Sequence, residues 1–382
     1  MKLFNKKFVL LVVINSLAFL NFNMSVSGFP AYAVLIGSDK LLIGLTTTFS
    51  AIAAMLVRPY VGVRIDKIGE KKILCIGLLM LSIPLACIWI MNPIGVLIAR
   101  MFQGFGWGLA STSCSKLIAN SLEGKNIAKG IGVAGMVSSI CAAIAPSVAI
   151  MLLDYFGPKL MFGIISFSTI LALGLSLGYV DSGRISNNVI ESQKHYLSKD
   201  HRKAAVISAI VMASITFAYA PMVTFMTQFV NLIGVASATW FFSTYAIATI
   251  LLRPVSGIYI DKKENFIPAV VGTLLTSIGC LALWKCDGKM LLILAGLLVG
   301  AGIGISMVSL QTKAVKKVDP PKRGSVISIF LFGYDLGMAL GGIIAGIVLR
   351  SIDYNNFFGI IGILPLFGLV VLLIERRKKK WA

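Results

Sequence analysis

Long runs of apolar residues, separated by short polar segments, extend over most of the chain. The runs are about as long as the roughly 20 residues that a helix needs to cross a bilayer. Hydropathy windows of about 19 residues predict twelve membrane-spanning helices, numbered spans 1–12 below. These spans cover residues 8–36, 42–63, 73–91, 94–119, 128–153, 160–180, 204–230, 237–260, 267–285, 290–312, 324–349 and 355–374. The pattern therefore predicts an all-α polytopic membrane protein.

The composition agrees with this pattern and excludes several classes of function. Of 382 residues, 57% are hydrophobic and 13% are charged, whereas soluble domains are roughly 45–50% apolar and about 25% charged. The six cysteines contain no CxxC pair, and the two histidines, His195 and His201, lie outside the apolar runs. We therefore expect no metal site and no cofactor. With no histidine in the spans and no Walker-type motif, we also expect no enzymatic activity.

Lysine and arginine residues predict the orientation. The N-terminus, the loops that follow even-numbered spans together with the span ends beside them, and the C-terminal tail hold 27 of the 35 basic residues. The opposite loops hold five: Lys40, Lys159, Lys285, Lys289 and Arg350. By the positive-inside rule, we expect both termini in the cytoplasm and the protein in the cytoplasmic membrane. Because the net charge of +20 is spread over short loops, we assign it to topology and lipid headgroups rather than to nucleic-acid binding.

A polar segment at residues 181–203 divides the chain. It is the longest polar stretch, and it separates six predicted spans at 1–180 from six at 204–382, which end in a basic tail. We therefore predict an N-terminal six-helix bundle, a cytoplasmic linker and a C-terminal six-helix bundle.

The two parts share a sequence repeat. The pattern RPxxGxxxDK at residues 58–67 recurs 195 positions later at 253–262. The pattern GxGxG at 104–108 recurs 196 positions later at 300–304. The repeat predicts that the two bundles are pseudo-symmetric. Two such bundles can rock about a site between them, which favours a carrier.

Residues 62–72, GVRIDKIGEKK, resemble the signature loop of the major facilitator superfamily, G-x-x-x-D-[RK]-x-G-[RK]-[RK], with Glu70 in place of one basic residue. Residues 100–104, RMFQG, resemble the R-x-x-Q-G motif of its proton-coupled members. The span 5 motif of exporters is mostly absent, because Cys141 and Ala145 replace glycines. The resemblance implies a secondary transporter similar to bacterial exporters of the drug- or sugar-efflux type, with export and uptake both open.

Asp335 is the one deeply placed acidic residue of the predicted spans. A charge at the bilayer centre costs roughly 2.5–3.5 kcal/mol on insertion scales, so such residues usually face a cavity or a partner. We interpret Asp335 as the proton-coupling residue. The alternative is a permanently ionised carboxylate, held by an arginine or by backbone amides, that braces span 11. Nearby glycines form a small-residue ridge that permits close helix contact, at Gly333, Gly337 and Gly341.

Three arginines lie within the predicted spans, at Arg58, Arg100 and Arg253. We assign Arg100 to proton coupling, where it would tune an acid or hold an anionic substrate through its planar donors. The alternative is an arginine that extends to the outer headgroups. Arg58 and Arg253 lie at matching depths in spans 2 and 8, where a shared gating role and an extension toward the cytoplasm are both open.

The resemblance implies an inner gate at the cytoplasmic ends of spans 2 and 8. In this interpretation Gly62 lets span 2 approach span 11, and Asp66 meets the positive N-terminal end of that helix. The residues assigned to the gate are Arg58, Gly62, Asp66, Lys67, Gly69, Lys71, Arg253, Gly257 and Asp261.

The resemblance also implies that spans 1, 4, 7 and 10 line the substrate cavity. The candidate lining residues are Asn15, Asn21, Asn23, Gln103, Trp107, Tyr219, Gln228 and Gln311. The alternative for the amide side chains is that they hydrogen-bond neighbouring helices to each other.

These features predict a secondary active transporter that moves a small organic solute by alternating access, with proton-coupled efflux by antiport as the leading function. The alternatives are proton-coupled nutrient uptake by symport and, less favoured, a sensor with a transporter fold. The surplus of intramembrane arginine favours an anionic or zwitterionic solute over a cationic drug. The expected partners are the solute, protons and the lipid bilayer, and we expect a monomer.

Overall fold

A computed structural model describes residues 5–83, 92–121, 126–179, 199–262, 267–315, 318 and 323–380. Regular structure within these residues is helical. The helices are α1 Lys6–Leu35, α2 Lys40–Ile68, α3 Glu70–Leu81, α4 Pro93–Asn120, α5 Asn126–Gly178, α6 Lys199–Leu232, α7 Thr239–Lys262, α8 Ile267–Trp284, α9 Lys289–Val315, α10 Arg323–Val348, α11 Tyr354–Ile361 and α12 Leu364–Lys380. Eight helical stretches of this described part are long and apolar enough to cross a membrane.

One helix boundary differs from the hydropathy prediction. Within α5 two helices meet at Gly157, where φ is 80° and favours glycine, and this kink falls in the gap predicted between spans 5 and 6. The last predicted span, residues 355–374, is divided into α11 and α12 by a short turn at residues 362–363. Hydropathy averages over that local break, because the residues around it are apolar. Residues 84–91 of span 3, residue 180 of span 6 and residues 181–198 of the linker lie outside the described residues.

Glycines of α4 set the packing among the helices before the linker. A Cβ atom on Gly104 would lie 2.2 Å from the carbonyl oxygen of Ser50 in α2. A Cβ atom on Gly106 would lie 2.8 Å from the carbonyl oxygen of Gly77 in α3. Only glycine therefore permits α4 to approach both neighbours this closely.

Glycines of α9 set the packing after the linker in the same way. A Cβ atom on Gly300 would lie 2.3 Å from the carbonyl oxygen of Tyr245 in α7, and one on Gly302 would lie 2.7 Å from that of Gly272 in α8. Tyr245 stands 195 positions after Ser50, and Gly272 stands 195 positions after Gly77. The sequence repeat is thus accompanied by repeated helix contacts.

Helices from before the linker pack against helices from after it, most extensively α2 against α10 and α5 against α7, while α1 and α2 also contact α6. We call the contact between α2 and α10 the α2–α10 seam. A Cβ on Gly44 would lie 2.3 Å from the carbonyl oxygen of Gly342, and Thr48 Oγ1 donates a hydrogen bond of 2.8 Å to the Ala339 carbonyl. In the α5–α7 pair, the hydroxyls of Ser147 and Ser243 hydrogen-bond each other.

Helix α10 packs tightly on a second face as well. A Cβ atom on Gly337 would lie 2.4 Å from the carbonyl oxygen of Ala213 in α6, and one on Gly341 would lie 2.4 Å from that of Phe217. The predicted glycine ridge therefore contacts α6, whereas Gly342 faces α2. Contacts on both faces fix the orientation of α10.

Candidate functional site

Asp335 of α10 and Arg58 of α2 form an ion pair at the centre of the structure. The distance between Asp335 Oδ2 and Arg58 Nη1 is 3.4 Å. Asp335 is 8% exposed, and its Oδ2 accepts no hydrogen bond from the described residues. It lies about 18 Å along α10 from the start of that helix, at 1.5 Å per residue. A buried carboxylate with a single ionic partner is held by charge rather than by a hydrogen-bond network.

This contact corresponds to one of the interpretations left open by the sequence, in which an arginine holds the carboxylate. It also shows that Arg58 turns toward the protein interior, with 22% of its side chain exposed. The pair joins α2, from before the linker, to α10, from after it. Whether the two side chains are in contact therefore depends on the relative position of the two helices.

Arg253 lies in α7 at the position that repeats Arg58. Its Nε atom is buried and has no hydrogen-bond partner among the described residues. Tyr245 and Tyr334 are close enough to interact with it electrostatically. Tyr245 also stacks on Tyr219, with ring centroids 5.4 Å apart. The sequence prediction included Tyr219 but missed Tyr245 and Tyr334, because aromatic residues are common in membrane helices.

Arg100 of α4 is the centre of a buried polar network. Its side chain is 0% exposed, so it does not extend to the headgroups. Its Nε donates a hydrogen bond of 3.0 Å to the Thr46 carbonyl, and its guanidinium also donates to Gln103 Oε1. Gln103 Nε2 donates to Ser25 Oγ at 2.6 Å and to Asn21 Oδ1 at 3.2 Å. The network ties α1, α2 and α4 together.

The other candidates for the cavity lie in separate environments. Trp107 stacks on Phe22, with ring centroids 4.4 Å apart. Asn15 and Asn21 hydrogen-bond to α5, which is the alternative interpretation, whereas Asn23 bonds within its own helix α1. Asn21 Nδ2 donates to the Ile165 carbonyl at 2.6 Å, Asn15 Nδ2 to Ser138 Oγ at 2.7 Å and Asn23 Nδ2 to the Phe19 carbonyl at 2.9 Å. Gln228 accepts a hydrogen bond from Tyr354, and Gln311 is partly buried in α9.

The start of the α2–α10 seam carries charged contacts that the sequence analysis treated only as markers of topology. Asp39 caps the start of α2 and pairs with Arg350, which follows α10. The hydrogen bond from Arg350 lowers the pKa of Asp39. Lys40 Nζ donates to the Leu349 carbonyl and lies 5.1 Å from the ring centroid of Tyr354. Nothing in the sequence indicated that these charged loop residues face each other.

Comparison with known proteins defines the family. A profile described as Major Facilitator Superfamily matches residues 11–318 and 204–382. The chain belongs to the Major Facilitator Superfamily. It is therefore an integral membrane protein and a secondary transporter, not an enzyme.

Two relatives illustrate the range of this superfamily. The staphylopine export protein of Staphylococcus aureus is 22% identical over 355 residues, which cover 89% of each chain. The vesicular acetylcholine transporter unc-17 of Caenorhabditis elegans is 26% identical over 337 residues, which cover 82% of this chain but 62% of the relative.

Solved structures share the fold at low sequence identity. The nucleoside transporter NupG superposes with a TM-score of 0.72 and 16% identity, covering 97% of this chain and 98% of that one. A structure described as a proton-dependent oligopeptide transporter gives a TM-score of 0.72 and 16% identity, covering 97% and 99%. These likenesses show the arrangement of helices.

The structure describes part of the superfamily signature loop, residues 62–72. Gly69 has φ of 97°, which favours glycine at the turn between α2 and α3. Lys71 Nζ donates to the carbonyls of Leu177 and Tyr179, at 2.9 Å and 2.6 Å, and so caps the end of α5. The side chains of five assigned gate residues lie outside the described part: Gly62, Asp66, Lys67, Gly257 and Asp261.

Glu70, which departs from the basic residue of the signature loop, has local partners of its own. Lys116 Nζ lies 3.2 Å from Glu70 Oε1. Asn120 Nδ2 donates to the same carboxylate at 3.0 Å. Both partners belong to α4, so the acidic residue fastens the start of α3 to the end of α4.

Proposed function

We propose that this superfamily member is a proton-coupled exporter that works by alternating access. In this proposal twelve spans form two six-helix bundles, residues 1–180 and 204–382, in the cytoplasmic membrane with both termini in the cytoplasm. The protein acts as a monomer on a small organic solute. The ion pair between Arg58 and Asp335 is the observation on which the proposal rests.

The repeated glycine contacts support the two-bundle arrangement. Residues of α4 pack on α2 and α3 as their counterparts in α9 pack on α7 and α8. Duplicated packing of this kind gives two similar rigid units, and such units can tilt against each other about the interface between them.

The α2–α10 seam supports a state that is closed toward the outside. Its direct contacts join residues 39–48 to residues 339–350, which the basic-residue pattern assigns to the outer half of the membrane. The ion pair of Arg58 and Asp335 lies on the inner side of these contacts. Access to the centre is then from the cytoplasm, where an exporter collects its solute.

Proton exchange at Asp335 gives a direct route to coupling. As long as Asp335 is ionised, its attraction to Arg58 holds α2 and α10 together near the centre. A proton on the carboxylate removes that charge, so the two helices separate more easily. Loss of the proton restores the pair. Antiport follows if the solute occupies the centre in the state that releases the proton to the cytoplasm. The export function named for the Staphylococcus aureus relative favours this direction.

Transport by the purified protein in liposomes tests the proposal. A solute would first be identified by thermal-shift screening of anionic, zwitterionic and cationic metabolites at two pH values. We expect wild-type protein to accumulate this solute when a pH gradient is imposed, and Asp335→Asn to retain exchange of labelled for unlabelled solute but to lose accumulation. Asp353→Asn, which changes an exposed carboxylate before α11, is the matched control. Unchanged accumulation by Asp335→Asn would remove this residue from the coupling mechanism.

A further inference from the structure

The α2–α10 seam and the α5–α7 pair share a register at one contact. In the α2–α10 seam, a Cβ on Gly342 would lie 3.0 Å from Thr48 Oγ1. In the α5–α7 pair, the Ser147 hydroxyl bonds the Ser243 hydroxyl. Ser147 precedes Gly342 by 195 positions, and Ser243 follows Thr48 by 195 positions. At this contact the packing of α5 on α7 therefore repeats the packing of α10 on α2.

This register assigns a counterpart to each member of the central ion pair. Arg58 corresponds to Arg253, and Asp335 corresponds to Ile140, both at 195 positions. The residues beside Ile140 are Ser139 and Cys141. The repeat thus retains the arginine on both sides but provides a carboxylate on only one.

Arg253 consequently has a charge that the described residues do not neutralise. No ion pair of the described part includes it, and its buried Nε lacks a hydrogen-bond partner there. The groups near its guanidinium are the phenols of Tyr245 and Tyr334. A partly buried cation without an anion is costly, because burial weakens hydration and no counter-charge compensates.

We propose that Arg253 binds an anionic group of the transported solute, which makes the substrate class an organic anion or a zwitterion. This inference rests on the proposed transport function and specifies its substrate. The planar guanidinium suits two oxygens of a carboxylate or a phosphate, and the phenol of Tyr334, which interacts electrostatically with Arg253, can act as a further donor. The stacked rings of Tyr219 and Tyr245 offer an apolar surface for the remainder of the solute.

The repeat supplies a direct test, since a carboxylate can be placed where the solute's anion would bind. Ile140→Asp should provide Arg253 with the partner that Asp335 provides for Arg58, and Ile140→Asn is the uncharged control of the same size. The probes are acids and phosphates paired with neutral analogues: benzoate and benzamide, nicotinate and nicotinamide, succinate and succinamide, glucose 6-phosphate and glucose. Phenylglyoxal, which modifies free guanidinium groups, reports on Arg253 through peptide mass spectrometry of the purified protein.

In wild-type protein we expect at least one anion to protect Arg253 from phenylglyoxal, whereas its neutral analogue does not. Ile140→Asp should slow the modification of Arg253 without any probe and weaken anion binding about 10- to 100-fold, as expected for hydrogen bonds to a charged group. Ile140→Asn and Arg253→Lys should bind the anion better than Ile140→Asp and Arg253→Gln, respectively. Carboxylates and phosphates are distinguished by which pair shows the effect.

The inference is overturned if anions protect Arg253 no better than their neutral analogues, or if Ile140→Asp leaves anion binding unchanged. These binding measurements do not depend on proton coupling. Anion binding at Arg253 together with unimpaired accumulation by Asp335→Asn would refute the coupling proposal alone. Loss of accumulation in Asp335→Asn without anion protection would refute the substrate assignment alone.

Discussion

Arg58 Nη1 and Asp335 Oδ2 are 3.4 Å apart, and this contact connects the helix that precedes the signature loop to the glycine-lined helix α10. Neither side chain has a second ionic partner among the described residues. Within the described residues each charge is therefore compensated only by the other. Removal of one leaves the other without a counter-charge.

Removal of the arginine alone should destabilise the protein more than removal of both charges. Arg58→Gln leaves the Asp335 carboxylate buried without a cation, which costs about 3–5 kcal/mol when a buried pair is broken in this way. The double variant Arg58→Gln with Asp335→Asn should recover most of the loss. Melting temperatures of the three variants in detergent test this expectation. Equal destabilisation by the single and double variants would contradict the mutual dependence of the two charges.

The contact between Gly44 and Gly342 should be necessary for closure of the α2–α10 seam. Gly44→Val introduces a Cβ that would lie 2.3 Å from the Gly342 carbonyl oxygen, and overpacking of this kind costs about 1–3 kcal/mol. We expect the variant to favour a state with the seam open and to transport more slowly. Distances between spin labels at positions 38 and 351 would measure the opening.

Gly163→Val is the matched control for that substitution, since a Cβ at Gly163 in α5 has no atom within 4 Å among the described residues. It should leave both the label distance and the transport rate near those of the wild type. A similar opening in both glycine variants would indicate a general effect of valine in a helix rather than a specific contact.

The pair of Asp39 and Arg350 should make the outer end of the seam sensitive to acid. Because Arg350 lowers the pKa of Asp39, the pair stabilises the closed seam above the ordinary pKa of about 3.9. That stabilisation is lost as the pH falls through the lowered value. In Arg350→Gln the pKa of Asp39 should return toward the ordinary value. The same spin-label distance should then be longer at neutral pH and less dependent on acid, whereas Arg350→Lys should resemble the wild type.

Exchanging the charges of Glu70 and Lys116 should preserve stability only if both residues are changed together. Glu70→Lys restores the basic residue of the superfamily signature but places it beside Lys116, so the attraction becomes a repulsion of about 1 kcal/mol at this partly exposed site. The swap of Glu70→Lys with Lys116→Glu should recover the melting temperature of the wild type. A stable single variant with no gain from the swap would show that the pair has no role at this turn.

Hydropathy and motif patterns predicted much of the fold because eight helical stretches of the described part are long apolar runs, and a bilayer requires such runs. The superfamily was identified correctly from the loop at residues 62–72 and the motif at residues 100–104. The kink at Gly157 falls in the gap predicted between spans 5 and 6, whereas the break at residues 362–363 was missed because it lies in apolar surroundings. Local backbone geometry at residues 362–363 is not encoded in average hydrophobicity.

The sequence predicted several residues of the candidate site, but not which of them contact each other. A buried acid at position 335 and arginines at matching depths could be recognised from the sequence, because charges are rare in membrane helices. That Asp335 pairs with Arg58 depends on which face of α10 turns toward α2. The glycines of α10 determine that face through contacts with two different helices, and periodicity alone does not distinguish the two contacts.

The close contacts of the α2–α10 seam involve glycine backbones, a threonine hydroxyl and terminal charges, with apolar side chains such as Leu45, Ile52 and Ile343 beside them. When such a surface parts, water can solvate its carbonyls and hydroxyls, so little hydrophobic free energy opposes the separation. A wall of leucines in the same place would adhere too strongly to reopen within each turnover. In the proposed transport cycle, small residues at these contacts thus allow the seam to open and close within each turnover.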